Sequence, residues 1–433
     1  MFKSLGKKIW KSSFLRSNGV LFVANIINGI VNFGIIFFAE FRLSKESFAL
    51  WVAISGAVSV FQGPISGLST HLVRKIANLD HTNQDVLFSY YSQFKLLIIK
   101  LVGILLVSSP ALGLLINYIF NYDDIFSSWL IIAYISFQFL LSTNQQILLG
   151  RLKVWRYAAN LLTYAFIRLS LTVGLILTGF GVPTLPLAML IAAVLAFILG
   201  EWLARPVLAE LNNEKGYNLK PVQEFSSTFW TGAVLQLLLI FMNLGVLTGK
   251  SFLSKEDLYS YSLAYSFGQI VHFGASSALG TFVSHSARKH NKNLYFYTLG
   301  IMMSLSLVIS TFVLGGIGFG KTILEKIGKV VYFDNLKYIA LFLLFICFYN
   351  AIYVTIQYLL SRSAFKKAGT IFIFVALQFV SLFTLNYLGL ETAWTTIWVN
   401  VVSSFLAAVT LIYLAFTWKI DPKPGNDAVP EIY

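Results

Sequence analysis

Windows of about 20 predominantly apolar residues recur from residue 19 to residue 418. Each is long enough to cross roughly 30 Å of hydrocarbon at about 1.5 Å per helical residue. Twelve can be counted, at approximately 19–39, 48–70, 96–119, 128–149, 157–179, 185–204, 229–249, 258–283, 294–319, 338–360, 368–388 and 394–417. Backbone groups inside hydrocarbon must be satisfied within their own segment, so spans of this length are helices. Hydrophobic residues make up 57% and charged residues 12% of the chain, about half the charged fraction usual in soluble domains. The expected fold class is therefore an all-α integral membrane protein, and a soluble globule is excluded.

The first span follows a basic stretch, but Asn25, Asn28 and Asn32 interrupt its apolar run and no small-residue cleavage site follows. It is expected to be retained rather than removed as a secretory signal. Before it, Phe2, Leu5 and Ile9 share one helical face and Lys3, Lys7, Lys8 and Lys11 lie elsewhere, which suits a short interfacial segment over residues 1–18. The net charge of +14 suggests nucleic acid only until its distribution is read. With a cytoplasmic N-terminus, the inner segments hold 21 Lys and Arg and the outer loops eight, the asymmetry of the positive-inside rule. The alternation holds through eleven loops except 320–337, with Lys321, Lys326, Lys329 and Lys337. Both termini are expected in the cytoplasm. All nine Trp fall near a span boundary, where an amphipathic indole is most comfortable. Cys347, the only cysteine, lies mid-span, so neither a disulfide framework nor a thiolate metal cluster is expected.

The chain says several things twice. LSKES at 43–47 returns as LSKED at 253–257, and QILLGR at 146–151 returns as QYLLSR at 357–362. RK at Arg74 returns at Arg288, and Asn25 and Asn32 map onto Gln236 and Asn243. Ordered matches at an offset near 211 point to a duplication of six spans. Because six is even, both copies enter the membrane in the same direction, which places a pseudo-twofold axis along the membrane normal and a central cleft between two parallel lobes. The expected organisation is an N-lobe over 19–208, a cytoplasmic linker over 209–224, a C-lobe over 225–418 and a cytoplasmic tail over 419–433.

Twelve spans in two parallel six-span lobes, with both termini inside, a basic second inner loop and short outer loops, resemble the multidrug/oligosaccharidyl-lipid/polysaccharide exporter superfamily. Within it the chain is most similar to the O-antigen and polysaccharide flippases. That resemblance covers essentially the whole chain and is architectural rather than motif-based. It implies translocation of an undecaprenyl-pyrophosphate-linked oligosaccharide from the inner to the outer leaflet of a bacterial inner membrane by alternating access. The partners it implies are the lipid-linked oligosaccharide, membrane lipids and polysaccharide polymerase machinery, with a monomeric chain, no nucleic acid and no cofactor. A coupling ion, if one is used, would be H+ or Na+.

Arg168 lies about eleven residues into the fifth span, where an arginine costs roughly 3 kcal/mol on insertion scales. It either faces a cavity, where a guanidinium pairs bidentately with pyrophosphate or an acidic sugar, or forms a structural ion pair; no acid sits at its depth in the sequence. Asn25, Asn28 and Asn32 form a helical stripe that either meets sugar hydroxyls or joins helices by amide hydrogen bonds. The matching Gln236 and Asn243 favour the cleft. Gln62 with Pro64 in the second span, and Gln269 with His272 in the eighth, mark expected helix bends. His272 is read as a neutral hydrogen-bonding group at the lobe interface rather than a proton shuttle, and His71 likewise. Glu201, four residues before Arg205, is assigned to an i, i+4 pair. The clusters Arg151, Lys153, Arg156 and Arg362, Lys366, Lys367 satisfy topology and anionic headgroups, with Arg151, Arg156 and Arg362 as candidates for the cytoplasmic mouth. No paired acids or metal-ligand spacing suggest a membrane enzyme acting on lipid-linked sugars. A multidrug or cation antiporter shares the fold and is the alternative; it would want a carboxylate at membrane depth.

Overall fold

The computed structural model describes residues 13–82, 84–120, 125–181, 183–211, 221–276, 282, 292–319, 331–362 and 364–417. The tail over 419–433, most of the segments 1–18 and 209–224, Arg288 and the end of the eighth span lie outside the described residues. Every regular element among the described residues is helical. In the first half these are α1 (Ser13–Arg42), α2 (Lys45–Phe61), α3 (Gly63–Thr82), a 3-10 turn (Gln84–Val86), α4 (Leu87–Phe120), α5 (Ile125–Gly150), α6 (Val154–Leu177) and α7 (Thr184–Ala209). The second half has α8 (Pro221–Phe252), α9 (Lys255–Ser276), α10 (Lys292–Phe319), α11 (Val331–Asp334), α12 (Leu336–Ser361), α13 (Phe365–Ala368), α14 (Ile371–Tyr387) and α15 (Ala393–Thr417).

Ten helices among the described residues are long and apolar enough to cross a membrane. The second and eighth crossings, α2–α3 and α9, are the two diluted by polar residues: Ser55, Ser59, Gln62, Ser66, Ser69 and His71 in one, and Ser262, Ser266, Gln269 and His272 in the other. Both are inner helices, where polar groups find partners that lipid cannot provide. The bend expected in the second crossing is present, since α2 ends at Phe61 and α3 starts at Gly63. Pro64 sits in the first turn of α3, where its missing N–H removes no helical bond. In the eighth crossing α9 runs as one helix through Gln269 and His272 to Ser276, since Gly274 is tolerated inside a helix where a proline would break it.

Two six-crossing lobes pack by one repeated scheme. In the first lobe α5 is the hub, packing on α4, α7 and α3, while α6 packs on α1 and α7. In the second, α12 packs on α10, α15 and α9, and α14 packs on α8 and α15. Adding six to each crossing number converts one set of neighbours into the other. The interface obeys the same operation, because α3 meets α8 and α9 meets α1. The hubs carry the buried small polar residues that let membrane helices approach: Ser136 Oγ and Thr143 Oγ1 of α5 each donate at 2.8 Å to the carbonyl four residues back, as Thr355 Oγ1 of α12 does.

The lobes meet closely along α3 and α8. A Cβ on Gly67 would lie 2.2 Å from Gly232 Cα, and one on Gly63 would lie 2.7 Å from Gln236 Cα; glycine is required at both places by the approach of the other backbone. At one end of this seam Arg74 Nη1 donates to the Leu360 carbonyl at 3.1 Å. At the other, buried Glu40 on α1 accepts from Tyr259 at 3.2 Å and Tyr332 at 2.6 Å, both from the second lobe.

Candidate functional site

Helical spacing on five elements of the first lobe converges on one cavity of about 260 Å³. Trp51, Ser55, Ser59 and Gln62 recur every third or fourth residue on α2 and its junction with α3. Tyr134, Gln138 and Gln145 share a face of α5, and Leu161, Tyr164 and Arg168 a face of α6. Asn28 and Asn32 of α1 and Leu185 and Met189 of α7 complete the wall, and Gln269 and Phe273 of α9 close it from the second lobe.

Tyr134 is the centre of the polar wall. Its hydroxyl accepts from Gln62 Nε2 at 2.8 Å and Gln138 Nε2 at 3.0 Å, and lies 3.3 Å from the Tyr164 hydroxyl. One turn further along α6, the Arg168 guanidinium stands over the Tyr164 ring, 5.4 Å from its centroid, a cation–π arrangement. Among the described residues Arg168 forms no ion pair, and its buried Nε and the buried Oδ1 of Asn32 have no hydrogen-bond partner. No Asp or Glu lines the cavity, so its one formal charge is positive. Below it, Gln145 Nε2 donates to Asn160 Oδ1 at 2.8 Å, and Asn160 Nδ2 donates to the Ala196 carbonyl at 2.7 Å, tying α5, α6 and α7.

Of the expected cleft residues, Asn28, Asn32, Gln62, Arg168 and Gln269 are brought together here. Asn25, Gln236, Asn243 and His272 are not among the lining residues. Gln236 packs against Gly63 in the α3–α8 seam. Asn243 is buried, donating to the Leu239 carbonyl at 2.7 Å and accepting from Tyr265, which also takes the Gln269 amide. His272 lies inside the second lobe, its Nδ1 2.6 Å from Asn350 Oδ1 while Asn350 Nδ2 donates to Ser306 Oγ at 2.8 Å, and Tyr349 and Tyr353 meet its ring edge to face. The repeated positions thus diverge: Asn32 of the first lobe faces the cavity, while its counterpart Asn243 is bonded within the second lobe. His71 on α3 stacks on Phe94 of α4.

One charged assignment changes. Glu201 pairs with Lys95 of α4 and accepts from Asn144 Nδ2 at 3.0 Å, not from Arg205; the neighbouring helix offers a cation in a less hydrated setting. Arg151 spends its guanidinium on Asp80 at 3.1 Å, the Val207 carbonyl at 2.8 Å and Glu210 at 3.4 Å, pinning the ends of α3, α5 and α7. Arg156 donates to the Leu203 carbonyl at 3.2 Å. The Val207 carbonyl lies in the last turn of α7, where carbonyls lack a partner within their helix, so Arg151 caps that end, and Arg156 ties α6 to α7 one turn earlier. Lys153 binds Glu210 at 2.9 Å and holds that carboxyl below its usual range. Arg362 stacks its guanidinium on Tyr358, 5.5 Å from the ring centroid. No cluster of His, Cys, Asp or Glu fit for a metal ion occurs among the described residues.

Tyr134, Gln138, Gln145, Tyr164 and the α2 serines were not picked out in the sequence. Their signal was present in the fourth span as polar residues at i, i+4 and i+11, and in the fifth as Tyr164 four residues before Arg168.

No family model matches this chain, and no curated protein matches it in sequence. Solved structures match its fold. A MATE transporter in complex with MaL6 superposes with a TM-score of 0.70 at 12% identity, covering 93% of this chain and 95% of the other. The multidrug transporter DinF-BH, solved in complex with R6G, gives 0.68 at 12% identity over 94% and 95%. A MOP superfamily transporter from Pyrococcus furiosus, described as having a binding pocket of reverse polarity that suggests a different function, gives 0.65 at 12% identity over 92% and 95%. The chain has the twelve-crossing, two-lobed MATE fold.

Proposed function

We propose that this chain is a multi-pass, alternating-access transporter that exports anionic amphiphiles. The observation that carries the proposal is Arg168: it is the one formal charge on the cavity wall, with no carboxylate beside it among the described residues. A cation in that cavity would meet repulsion in a medium that screens it poorly, and an anion would gain charge-assisted hydrogen bonds. Serine, asparagine and glutamine groups around it suit a hydroxylated or amide-bearing headgroup, while Trp51, Ile35, Leu161 and Met189 offer apolar contact.

The neighbours of known structure are membrane transporters rather than enzymes, and those named as multidrug transporters support export of drug-sized amphiphiles better than oligosaccharide flipping. The cavity volume of about 260 Å³ lies just below the roughly 300–1,000 Å³ of sites for drug-sized ligands, which suits a small headgroup better than an oligosaccharide. Flipping of undecaprenyl-pyrophosphate-linked oligosaccharide is the second reading, favoured by the same arginine, with the pyrophosphate on Arg168 and the polyprenyl tail in lipid. The distribution of Lys and Arg supports cytoplasmic termini.

Reconstituted liposomes separate the two. Uptake of a small fluorescent anionic amphiphile without leaflet exchange of a labelled polyprenyl-pyrophosphate oligosaccharide is expected; exchange of the oligosaccharide alone would establish the flippase, and transport of neither would refute both.

A further inference from the structure

The geometry assigns the Tyr164 hydroxyl to the cargo site as a hydrogen-bond donor to the same oxyanion that Arg168 holds, with Tyr134 as the positioning residue that turns it there. This rests on the anionic-cargo reading above and names what recognises the anion besides charge.

A phenol oxygen carries one proton and two lone pairs. The Tyr134 oxygen has three hydrogen-bonding neighbours, Gln62, Gln138 and Tyr164. One proton cannot serve three acceptors, so at least two of the three must donate. The two amide Nε2 atoms do so at 2.8 and 3.0 Å and fill both lone pairs. Tyr134 itself is 1% exposed, and Tyr164 is the one acceptor within reach of its proton among the described residues. Its proton is therefore directed to the Tyr164 oxygen, 3.3 Å away. Tyr164 then accepts from Tyr134 and must direct its own proton elsewhere. It has no other hydrogen-bond partner among the described residues and lines the cavity.

Tyr164 and Arg168 are four residues apart on α6, hence neighbours on one helical face. Together they present only N–H and O–H donors, the complement of a fully ionised phosphate, pyrophosphate or sulfate and a poor match for a cation or a protonated amine. Gln62 comes from the α2–α3 junction, Gln138 and Tyr134 from α5 and Tyr164 from α6, so three crossings fix the direction in which one proton points.

The test is calorimetric titration of the full chain in lipid nanodiscs with geranyl pyrophosphate, and with geranyl glucoside as an uncharged counterpart. Tyr164→Phe keeps the ring beneath Arg168 and removes only the hydroxyl. Loss of one charge-assisted hydrogen bond should weaken geranyl pyrophosphate by roughly tenfold or more and leave the glucoside unchanged. Tyr134→Phe, which frees Tyr164 to rotate, should weaken the pyrophosphate by less. Unchanged pyrophosphate affinity in either Tyr variant, with binding lost in Arg168→Ala, overturns the donor assignment and leaves the anionic reading standing. Equal loss of both ligands in Tyr164→Phe overturns it too, as a packing effect. Absence of pyrophosphate binding by the wild type overturns the anionic reading and the assignment with it.

Discussion

Arg168 is held at a depth where it costs roughly 3 kcal/mol to insert, stacked on Tyr164 and facing a cavity. Arg168→Ala should cut transport of an anionic amphiphile at least tenfold without lowering the amount of folded protein, measured by uptake per mole of protein recovered in gel filtration. Arg151 makes the opposite case. Its side chain is only 11% exposed and joins three helix ends, so Arg151→Ala should destabilise by about 1.5–3 kcal/mol. Lys153→Ala, at a more exposed pair, should shift the melting temperature far less; thermal unfolding of the two variants compares them. Glu391, in the short connection between α14 and α15, has its carboxyl raised by burial to about 7. The folded state therefore binds more protons than the unfolded chain between its ordinary value of 4.5 and about 7, and stability falls as pH rises through that window. Glu391→Gln should raise the melting temperature at pH 8 and leave it unchanged at pH 4; equal shifts at both would contradict the assignment. Arg168 was legible in the sequence because an intramembrane charge is rare. Tyr134 was not, because a tyrosine in an apolar run looks like packing until two of its three partners, Gln62 and Tyr164, are seen to come from other helices.

The helices themselves were largely legible, since an apolar window of sufficient length leaves the backbone no alternative. What the sequence did not reveal was which faces meet. The stripe of Asn25, Asn28 and Asn32 splits in the structure, with only the last two on the cavity, because a helix stripe spans more surface than one neighbour covers. Gly63 and Gly67 in GPISG mark the place where α3 and α8 touch, and the tightness of that contact gives a direct prediction. Gly67→Leu should separate the lobes or lower the melting temperature by several degrees, since the added carbon would fall 2.2 Å from Gly232 Cα. Gly103→Leu on α4 is the control: nothing lies within 4 Å of a Cβ there, and its melting temperature should stay near wild type.

Across the whole molecule, the duplication read from LSKES and LSKED is realised as two lobes whose neighbour scheme repeats crossing by crossing. Function is not repeated with it. The described cavity belongs to the first lobe and borrows only Gln269 and Phe273 from the second, while the corresponding region of the second lobe is filled by His272, Asn350, Tyr349 and Tyr353. A duplicated backbone conserves packing because every copy must bury the same helix faces, but the side chains that fill or open a lobe diverge without changing the architecture. Rocking about the α3–α8 seam would require Arg74 to leave the Leu360 carbonyl in one direction and Glu40 to leave Tyr259 and Tyr332 in the other. In the proposed function the cavity chooses cargo by the sign of its charge. The most direct measurement is uptake into proteoliposomes of two dyes of matched size and hydrophobicity that differ only in charge sign, by wild type and Arg168→Ala. The account predicts uptake of the anionic dye alone, abolished by the substitution; uptake of the cationic dye by the wild type, indifferent to Arg168, would contradict it.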